Sequence, residues 1–416
     1  MRIAFLIGEF PSVSETFILS QITALIDCGH QVDIYAECPS KVVKKHGDID
    51  RYELQKCIFY YPTVPKNWVA RALGVLPLLF RSTNTRLRPL LEALNIYRHG
   101  ELAASMRLFY RAIPFVSRED HHYDIVHCHH GHVGAMGVKL REIGAVAGQI
   151  VTSFHGYDVN VIPALSGSDV YKELFQKANV ITANSQFTIE KLMDLHCAAD
   201  KIVRLPVGLD VSLYSFRERE VSQENAPIRL LTVARLVEKK GIEYSIRAVS
   251  KVIEKYPNIQ YEIVGDGPLL RRLQQLIVEL RLQDSVHLLG WKTKEEVQKY
   301  YEQAHIFVLA SVTAANQDRE GQGLVLQEAQ AMGLPVVATL HNGFPDSVIQ
   351  GRSAFLVPER DVTALVDRLM YLIENPGSWA EMGHVGRKYV EENFDITDLN
   401  QQLLDIYRKV QMSKGA

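Results

Sequence analysis

The sequence predicts an α/β protein built from two doubly wound domains, each a parallel sheet with helices on both faces. A chain of 416 residues exceeds one ordinary core and suits two domains of roughly 200 residues each. Hydrophobic residues make up 47% and charged residues 23%, an ordinary globular composition with apolar surface to bury. Short apolar runs alternate with amphipathic segments in both halves, as β-α units of a parallel sheet do.

Two series of short apolar runs are the predicted strands. The first series covers residues 3–7, 31–36, 125–128, 150–154 and 180–183. The second covers residues 229–233, 260–264, 286–289, 306–309 and 335–339, with helical segments between the runs. Ligands of such sheets bind beyond the carboxyl ends of the strands. Two facing sheets therefore predict a site between the domains.

The joint between the domains is predicted at LPVGLD, residues 205–210, where Pro206 and Gly208 interrupt the pattern. The predicted domains are residues 1–206 and 207–390. Residues 391–416 are expected to form a C-terminal helix that crosses back to the first domain.

Charge and cysteine content exclude several classes of protein. A net charge of -2 and a pI near 6.7 argue against a nucleic-acid binder. Five cysteines, without paired CxxC spacing, argue against a disulfide scaffold or zinc ribbon and favour a reducing compartment. MRIAFLIGEF is too short for a signal peptide, and the chain lacks an apolar run of roughly 18 residues that could cross a bilayer. We expect a cytoplasmic protein, free or at the inner face of the membrane.

The first strand leads into GEFPSVSETF, where Ser12 or Ser14 can cap the following helix. Free helix amides attract an anion or a hydroxyl-rich ligand, although a plain helix cap is the simpler interpretation. A dinucleotide-binding dehydrogenase would show GxGxxG here. Of this motif only Gly8 is present. Glu37, after the second strand, stands where the motif has its ribose-binding acid.

Two segments suggest a metal, and both have simpler interpretations. HCHHGH, residues 127–132, contains zinc-ligand residue types, but a strand directs alternate side chains to opposite faces, so they cannot all converge. We expect histidines at a strand end that line the cleft. DID, residues 48–50, follows KKHG and not an apolar strand, so a solvated loop is expected.

SFHGYD, residues 153–158, places His155 directly after a predicted strand. Gly156 allows a tight turn, and Asp158 is near enough in sequence to orient the histidine ring. A functional histidine and a satisfied turn histidine are equally compatible with this spacing.

VARLVEKKG, residues 233–241, places Arg235 at a strand end and Lys240 just before a helix. Two cations near helix amides suit a diphosphate, because they neutralise charge that develops on a leaving phosphate. A solvated basic turn has the same pattern. VGDGPLL, with Gly265 after a strand, is a weak signal alone.

DREGQGLVLQE contains two acids eight residues apart, Glu320 and Glu328. Gly321 and Gly323 precede a predicted helix over residues 324–332, so backbone amides of residues 321–324 can approach a ligand closely. Glu328 falls in an apolar element, where a buried carboxylate needs a partner such as ligand hydroxyls. Solvent exposure on one helical face is the alternative.

Together, ARLVEKKG, VGDGPLL and EGQGLVLQEAQAMGLPVVAT resemble the family-4 retaining glycosyltransferases, which have the GT-B fold of two Rossmann-like domains around a central cleft. The likeness spans nearly the whole chain. FPSVSETF, SFHGYD and ATLHNGFPDSV are similar to bacterial glycosyltransferases of exopolysaccharide synthesis, such as those of colanic acid.

The resemblance implies a nucleotide-sugar donor in the second domain and a glycan or lipid-linked oligosaccharide acceptor in the first, with no metal or other cofactor. Catalytic residues would be His155 and Glu320. The implied donor-binding residues are Arg235 and Lys240 at the diphosphate, Glu328 at the ribose, Trp291 near the base, and Gly265, Gly321, Gln322, Gly323 and Leu324.

The chain departs from many relatives at three places. Ser14, Glu15 and Thr16, the predicted acceptor-binding residues, stand where relatives have Gly-Gly. Val207-Gly208 replaces Asn-Gly, and Asp346 replaces Glu. A GT-B epimerase or phosphorylase, or a non-catalytic sugar-binding subunit, remains an alternative function.

Residues 66–118 are locally basic, with Glu92 and Glu101 as the acids facing a set of cations. Aliphatic and aromatic residues lie between these cations, a mixture typical of helices in an anionic membrane interface. Helices packed on the first sheet, with the arginines solvated, are the alternative. The cations are Lys66, Arg71, Arg81, Arg86, Arg88, Arg98, Arg107, Arg111 and Arg118.

Overall fold

Two parallel sheets, of seven and six strands, organise the chain and confirm the predicted fold class. The computed structural model describes residues 1–12, 16–39, 47–80, 86–118, 120–220 and 226–412.

The first sheet has the strand order β3-β2-β1-β4-β5-β6-β7. All its strands are parallel, and the order in which the chain adds strands changes direction between β1 and β4. Its strands are β1 (Arg2–Glu9), β2 (Gln31–Cys38), β3 (Ile58–Tyr60), β4 (His122–His129), β5 (Ala147–Phe154), β6 (Val180–Ala183) and β7 (Ile202–Arg204). The helices are α1 (Thr16–Asp27), α2 (Gly47–Arg51), α3 (Trp68–Phe80), α4 (Leu87–Glu92), α5 (Ile96–Ala104), α6 (Arg107–Val116), α7 (Gly131–Glu142), α8 (Tyr157–Ser166), α9 (Lys172–Lys177) and α10 (Gln186–Asp194).

The second sheet has the order β10-β9-β8-β11-β12-β13. Its strands are β8 (Ile228–Val233), β9 (Ile259–Val264), β10 (Val286–Leu288), β11 (Ile306–Leu309), β12 (Val336–Thr339) and β13 (Ala354–Val357). The helices are α11 (Ile242–Lys255), α12 (Leu270–Glu279), α13 (Lys294–Gln303), α14 (Leu324–Ala331), α15 (Val362–Glu374) and α16 (Trp379–Phe394).

Burial on both faces explains why the central strands read as continuous apolar runs. Every residue of β11 and β12 is buried, as in strands covered by helices on both sides. Helix α11 buries Ile242, Ile246, Val249 and Val252, whose spacing of three or four residues forms one helical face. The edge strands β3, β7 and β13 were not predicted.

The last helix, α17 (Ile396–Met412), packs on the first sheet, with Leu403 and Tyr407 in the core around Phe5 of β1. The chain thus crosses between the sheets twice. The crossings are hydrogen-bonded to each other at Leu209, whose amide donates to Phe394 at 2.8 Å and whose carbonyl accepts from Ile396 at 3.0 Å. The exact domain boundaries stay a prediction. None of the described helices has the length and apolar character to span a bilayer.

Candidate active site

Two neighbouring cavities occupy the cleft where the carboxyl ends of the two sheets meet. The larger, of about 690 Å³, is lined by Glu9 and Ser12 from the end of β1 and by residues of the second sheet, including Arg235, Lys240 and Glu320. The smaller, of about 410 Å³, is lined by Thr16 and Phe17 of α1 and by residues that include Tyr214, Tyr301 and Glu328. Val233, Lys292, Val297 and Val325 line both cavities.

Two glycines bring the two halves into backbone contact beside these cavities. Gly156 has φ +97°, and a Cβ built on it would lie 3.0 Å from the Cα of Gly321. A Cβ on Gly321 would lie 2.9 Å from the carbonyl oxygen of His155. Larger side chains would push the loops apart, so these glycines hold His155 next to the loop over residues 320–323.

The carboxylate of Glu320 is paired with two lysines. Its Oε2 lies 2.7 Å from Lys240 Nζ and its Oε1 lies 3.4 Å from Lys239 Nζ. Burial opposes ionisation of Glu320, but the charges of Lys240 and Lys239 outweigh it and hold its pKa at about 2. Arg235, in contrast, is an exposed side chain on the 690 Å³ cavity. The site therefore combines a carboxylate paired with two lysines and an exposed guanidinium.

The backbone of Glu320 is held by residues that the sequence analysis missed. Its N–H donates to His341 Nε2 at 3.1 Å, and its carbonyl accepts from Asn342 Nδ2 at 2.9 Å. Because Nε2 of His341 accepts a hydrogen bond, its proton lies on Nδ1, which faces Glu359 Oε1 at 2.5 Å. Burial lowers the pKa of His341, which suits this neutral form. A histidine two residues after the end of β12, in ATLHNG, was the available signal.

Glu328 of α14 has two phenolic partners. Its carboxylate accepts from Tyr301 at 2.9 Å and from Tyr214 at 3.2 Å. Burial raises the pKa of Glu328, and these hydrogen bonds oppose that rise. A carboxylate has about four acceptor positions, so it keeps acceptor capacity towards the 410 Å³ cavity. Tyr214 and Tyr301 were not predicted as site residues.

His155 lies against His129, with ring centroids 5.4 Å apart, an interplanar angle of 7°, and His129 Nδ1 3.1 Å from His155 Nε2. The expectation that Asp158 orients the His155 ring is wrong. Asp158 is buried and accepts from the backbone amides of His155 and Gly131, each at 3.0 Å. Although burial raises the pKa of Asp158, hydrogen bonding to His130 helps to lower it to about 2. Asp158 therefore orders the loop, while His129 orients the ring.

The HCHHGH segment alternates across β4 as predicted. His127 is fully buried between Tyr407 Oη at 2.6 Å and Ser153 Oγ at 2.7 Å, and burial lowers its pKa to about 3. The expectation that this histidine lines the cleft is wrong. Over the described ranges, no three His, Cys, Asp or Glu residues are grouped to hold a metal. Asp48 and Asp50 lie in α2, not in the loop that was expected.

The remaining predicted residues occupy different parts of the cleft. Trp291 is half-exposed on the 690 Å³ cavity, beside Gly265. Gly265 has φ +141°, and a Cβ there would lie 1.9 Å from the carbonyl oxygen of Ala234. Gly323 precedes Leu324, the first residue of α14, whereas the Gln322 side chain is buried. Ser14 and Glu15 lie outside the described residues.

Asp346 contacts the first half of the molecule. Its carboxylate accepts from the backbone amide of Gln186 at the start of α10, at 2.5 Å. The Asp346 carboxylate therefore lies at a helix N-terminus, where a negative charge is favourable.

Two family models match the chain, and together they cover both halves. Residues 14–213 match Glycosyltransferase Family 4, and residues 215–389 match Glycosyl transferases group 1. The two facing parallel sheets with a shared cleft define the GT-B class of glycosyltransferases.

Relatives and solved structures agree with this class. A putative colanic acid biosynthesis glycosyltransferase WcaL of Salmonella typhimurium is 33% identical over 99% of this chain and 100% of its own. The amylovoran biosynthesis glycosyltransferase AmsK of Erwinia amylovora is also 33% identical, over 99% and 100%. The crystal structure of Anabaena Alr3699/HepE in complex with UDP and glucose aligns with a TM-score of 0.69 at 18% identity, over 98% of this chain and 100% of that one. The chain belongs to the family-4 glycosyltransferases, and it is a glycosyltransferase enzyme.

Proposed function

We propose that this enzyme transfers a sugar from a nucleotide-sugar donor to a glycan or lipid-linked oligosaccharide in bacterial exopolysaccharide biosynthesis, with retention of configuration and without a metal. The observation that carries the proposal is the grouping of Arg235, Lys240, Glu320 and Glu328 around two neighbouring cavities, next to His155. The relatives' roles in colanic acid and amylovoran biosynthesis support the pathway. The UDP and glucose complex of the structural neighbour supports the donor class.

The donor diphosphate would lie in the 690 Å³ cavity, against the exposed guanidinium of Arg235. Lys240 is a second cation there, and its ammonium has three donors, so it can bind phosphate while it stays near Glu320. Amides of residues 321–324 at the start of α14 add donors for the phosphate or the sugar. The ribose hydroxyls would donate to Glu328, and Trp291 and Gly265 lie where the base would be recognised.

The transfer step would break the bond between the anomeric carbon and the diphosphate oxygen and form a bond from the acceptor oxygen on the same face of the sugar. Arg235, Lys240 and the helix amides stabilise the negative charge that develops on the leaving group. Glu320 and His155 orient the oxocarbenium-like sugar. The departing phosphate takes the acceptor proton.

The first half of the chain, residues 1–206, would bind the acceptor, and residues 207–390 would bind the donor. Ser14, Glu15 and Thr16 are the proposed acceptor contacts, of which Thr16 lines the 410 Å³ cavity. Residues 391–416 would belong with the first domain, because α17 packs on its sheet. We propose a cytoplasmic location, at the inner face of the membrane.

The direct test is a panel of nucleotide sugars, assayed for nucleoside diphosphate release with and without lipid-linked acceptors. Release should depend on acceptor, and NMR of the product should show the donor's anomeric configuration.

Activity should survive thorough chelation with EDTA, because side-chain cations and amides stabilise the leaving group. Loss of activity with EDTA and its recovery with a divalent ion would contradict metal independence. Acceptor-independent conversion would favour the epimerase or phosphorylase.

Membrane contact is a separate proposal, and exposed apolar side chains on three consecutive helices support it. Trp68 and Leu73 of α3 are 61% and 63% exposed, Leu91 of α4 is 70% exposed, and Tyr97 of α5 is fully exposed. Not every cation of this region points to solvent, because some bind other parts of the protein. Arg86 donates to the carbonyls of Gly144 and Ala145 at 3.1 and 2.8 Å. Arg81 lies outside the described residues.

We expect the enzyme to co-sediment with vesicles rich in anionic lipid and to release in high salt. Each of the substitutions Trp68→Ser and Leu73→Ser should weaken binding by roughly 10-fold or more, because each buried apolar side chain contributes about 1.5–3 kcal/mol. The exposed Lys66 and Arg88 are the cations to replace with glutamate. Serine at Val278 and Tyr371, exposed apolar residues of the second half, is the matched control. Absence of co-sedimentation at low salt would rule out direct contact.

A further inference from the structure

The buried side chain of Gln322 binds the joint between the two halves of the molecule. Its Oε1 accepts from the backbone N–H of Val207 at 2.7 Å, and its Nε2 donates to the carbonyl of the same residue at 2.8 Å. Gln322 is 4% exposed and Val207 is 7% exposed. The carboxamide satisfies both backbone groups of Val207, as a neighbouring strand would.

The other end of this contact is the loop beside His155. Gln322 follows Gly321, whose backbone lies against His155, and the Gln322 carbonyl accepts from Ser347 Oγ at 2.8 Å. Val207 is two residues before Leu209, where the two chain crossings are hydrogen-bonded to each other. One side chain therefore connects the loop over residues 320–323 with the segment about which the domains would rotate.

We infer that Gln322 is a positioning residue, which ties the sugar-binding loop to the interdomain joint. This inference rests on the proposed function of the loop. We call the two hydrogen bonds between Gln322 and Val207 the clasp. The clasp keeps Glu320 and the following amides in one position relative to His155 when the halves of the molecule move. Its role is distinct from that of the backbone amides beside it, which would bind the donor.

Replacing Gln322 with leucine removes both hydrogen bonds at similar volume. We expect faster hydrogen exchange at the amide of Val207, because its acceptor is lost. We also expect a fall in kcat of roughly 100-fold, the size of effect that a 1 Å misplacement of a reacting group produces. The affinity for UDP or GDP should change little, because Arg235 and Glu328 do not touch the clasp.

The substitution Gln322→Glu offers a pH-dependent rescue. A protonated carboxyl has one O–H donor and one acceptor, as the amide does, whereas the carboxylate only accepts. Burial raises the pKa of a carboxyl group. The ratio of Gln322→Glu to wild-type kcat should therefore rise as the pH is lowered from about 8 to about 6. A structural role alone predicts no such change in the ratio.

Gln330→Leu is the matched control, since Gln330 is a buried amide of α14 that hydrogen-bonds Leu326, Ser347 and Ser353, not the joint. It should lower thermal stability and leave both kcat and Val207 exchange near the wild-type values. Wild-type exchange at Val207 in Gln322→Leu, or a kcat within twofold of wild type, would overturn the inference. The exchange measurement needs no substrate, so it decides the clasp even if the wild type transfers no sugar.

Discussion

Replacing Arg235 with alanine should lower kcat/KM for sugar transfer by about 100- to 1000-fold. This corresponds to a loss of about 2.7–4 kcal/mol of transition-state stabilisation. The Arg235 guanidinium lines the 690 Å³ cavity, and within the described part of the chain it makes no ion pair. Its removal therefore deletes a charge that would stabilise the leaving diphosphate, and among the described residues it breaks no side-chain hydrogen bond or ion pair. Steady-state kinetics with a cognate donor and acceptor measure the effect.

Thermal unfolding separates this loss from a folding defect. Arg235→Ala should unfold within a few degrees of the wild type, because exposed substitutions change stability by about 0.5 kcal/mol or less. Arg271→Ala, at an exposed arginine of α12 that lines neither cleft cavity, is the matched charge control. An unchanged kcat/KM in Arg235→Ala would remove the diphosphate assignment.

Replacing Glu328 with alanine should weaken binding of the nucleoside diphosphate by about 3 kcal/mol, roughly 100-fold, because hydrogen bonds to a charged group contribute about 1.5–3 kcal/mol each. The ribose hydroxyls lose their acceptor at the end of the 410 Å³ cavity. Calorimetry with UDP and GDP measures the change, since the base is not assigned.

A deoxyribose ligand makes the Glu328 test specific. The wild type should bind the 2′-deoxy nucleoside diphosphate more weakly than the ribose form, whereas Glu328→Ala should bind both alike, as a double-mutant cycle requires. Tyr301→Phe removes a hydroxyl that donates to Glu328 but leaves the carboxylate in place. It should retain the preference for ribose. Discrimination that persists in Glu328→Ala would contradict the ribose assignment.

Local properties of the chain were readable from the sequence. The central strands were predicted because burial on both faces makes them apolar throughout, as in β11 and β12. Positions that require glycine were visible at Gly265 and Gly321, where close backbone approach excludes a side chain. The sequence also predicted that the candidate site residues lie at strand ends, because ligands of doubly wound sheets bind there. The edge strand β3 was not predicted.

What each polar group contacts was decided by the tertiary structure. Glu328 receives its hydrogen bonds from Tyr214 and Tyr301, and Gln322 reaches Val207 across 115 positions of the chain. Arg86 was predicted as a solvated or membrane-facing cation and instead binds two carbonyls. Periodicity specifies which face of an element is buried, but a hydrogen-bond partner depends on which distant segment the packing brings within about 3 Å. The sequence by itself therefore determined the fold, the family and the chemical types at the cleft, whereas the packing of the two sheets and their crossings decided which groups are paired and which remain open to a ligand.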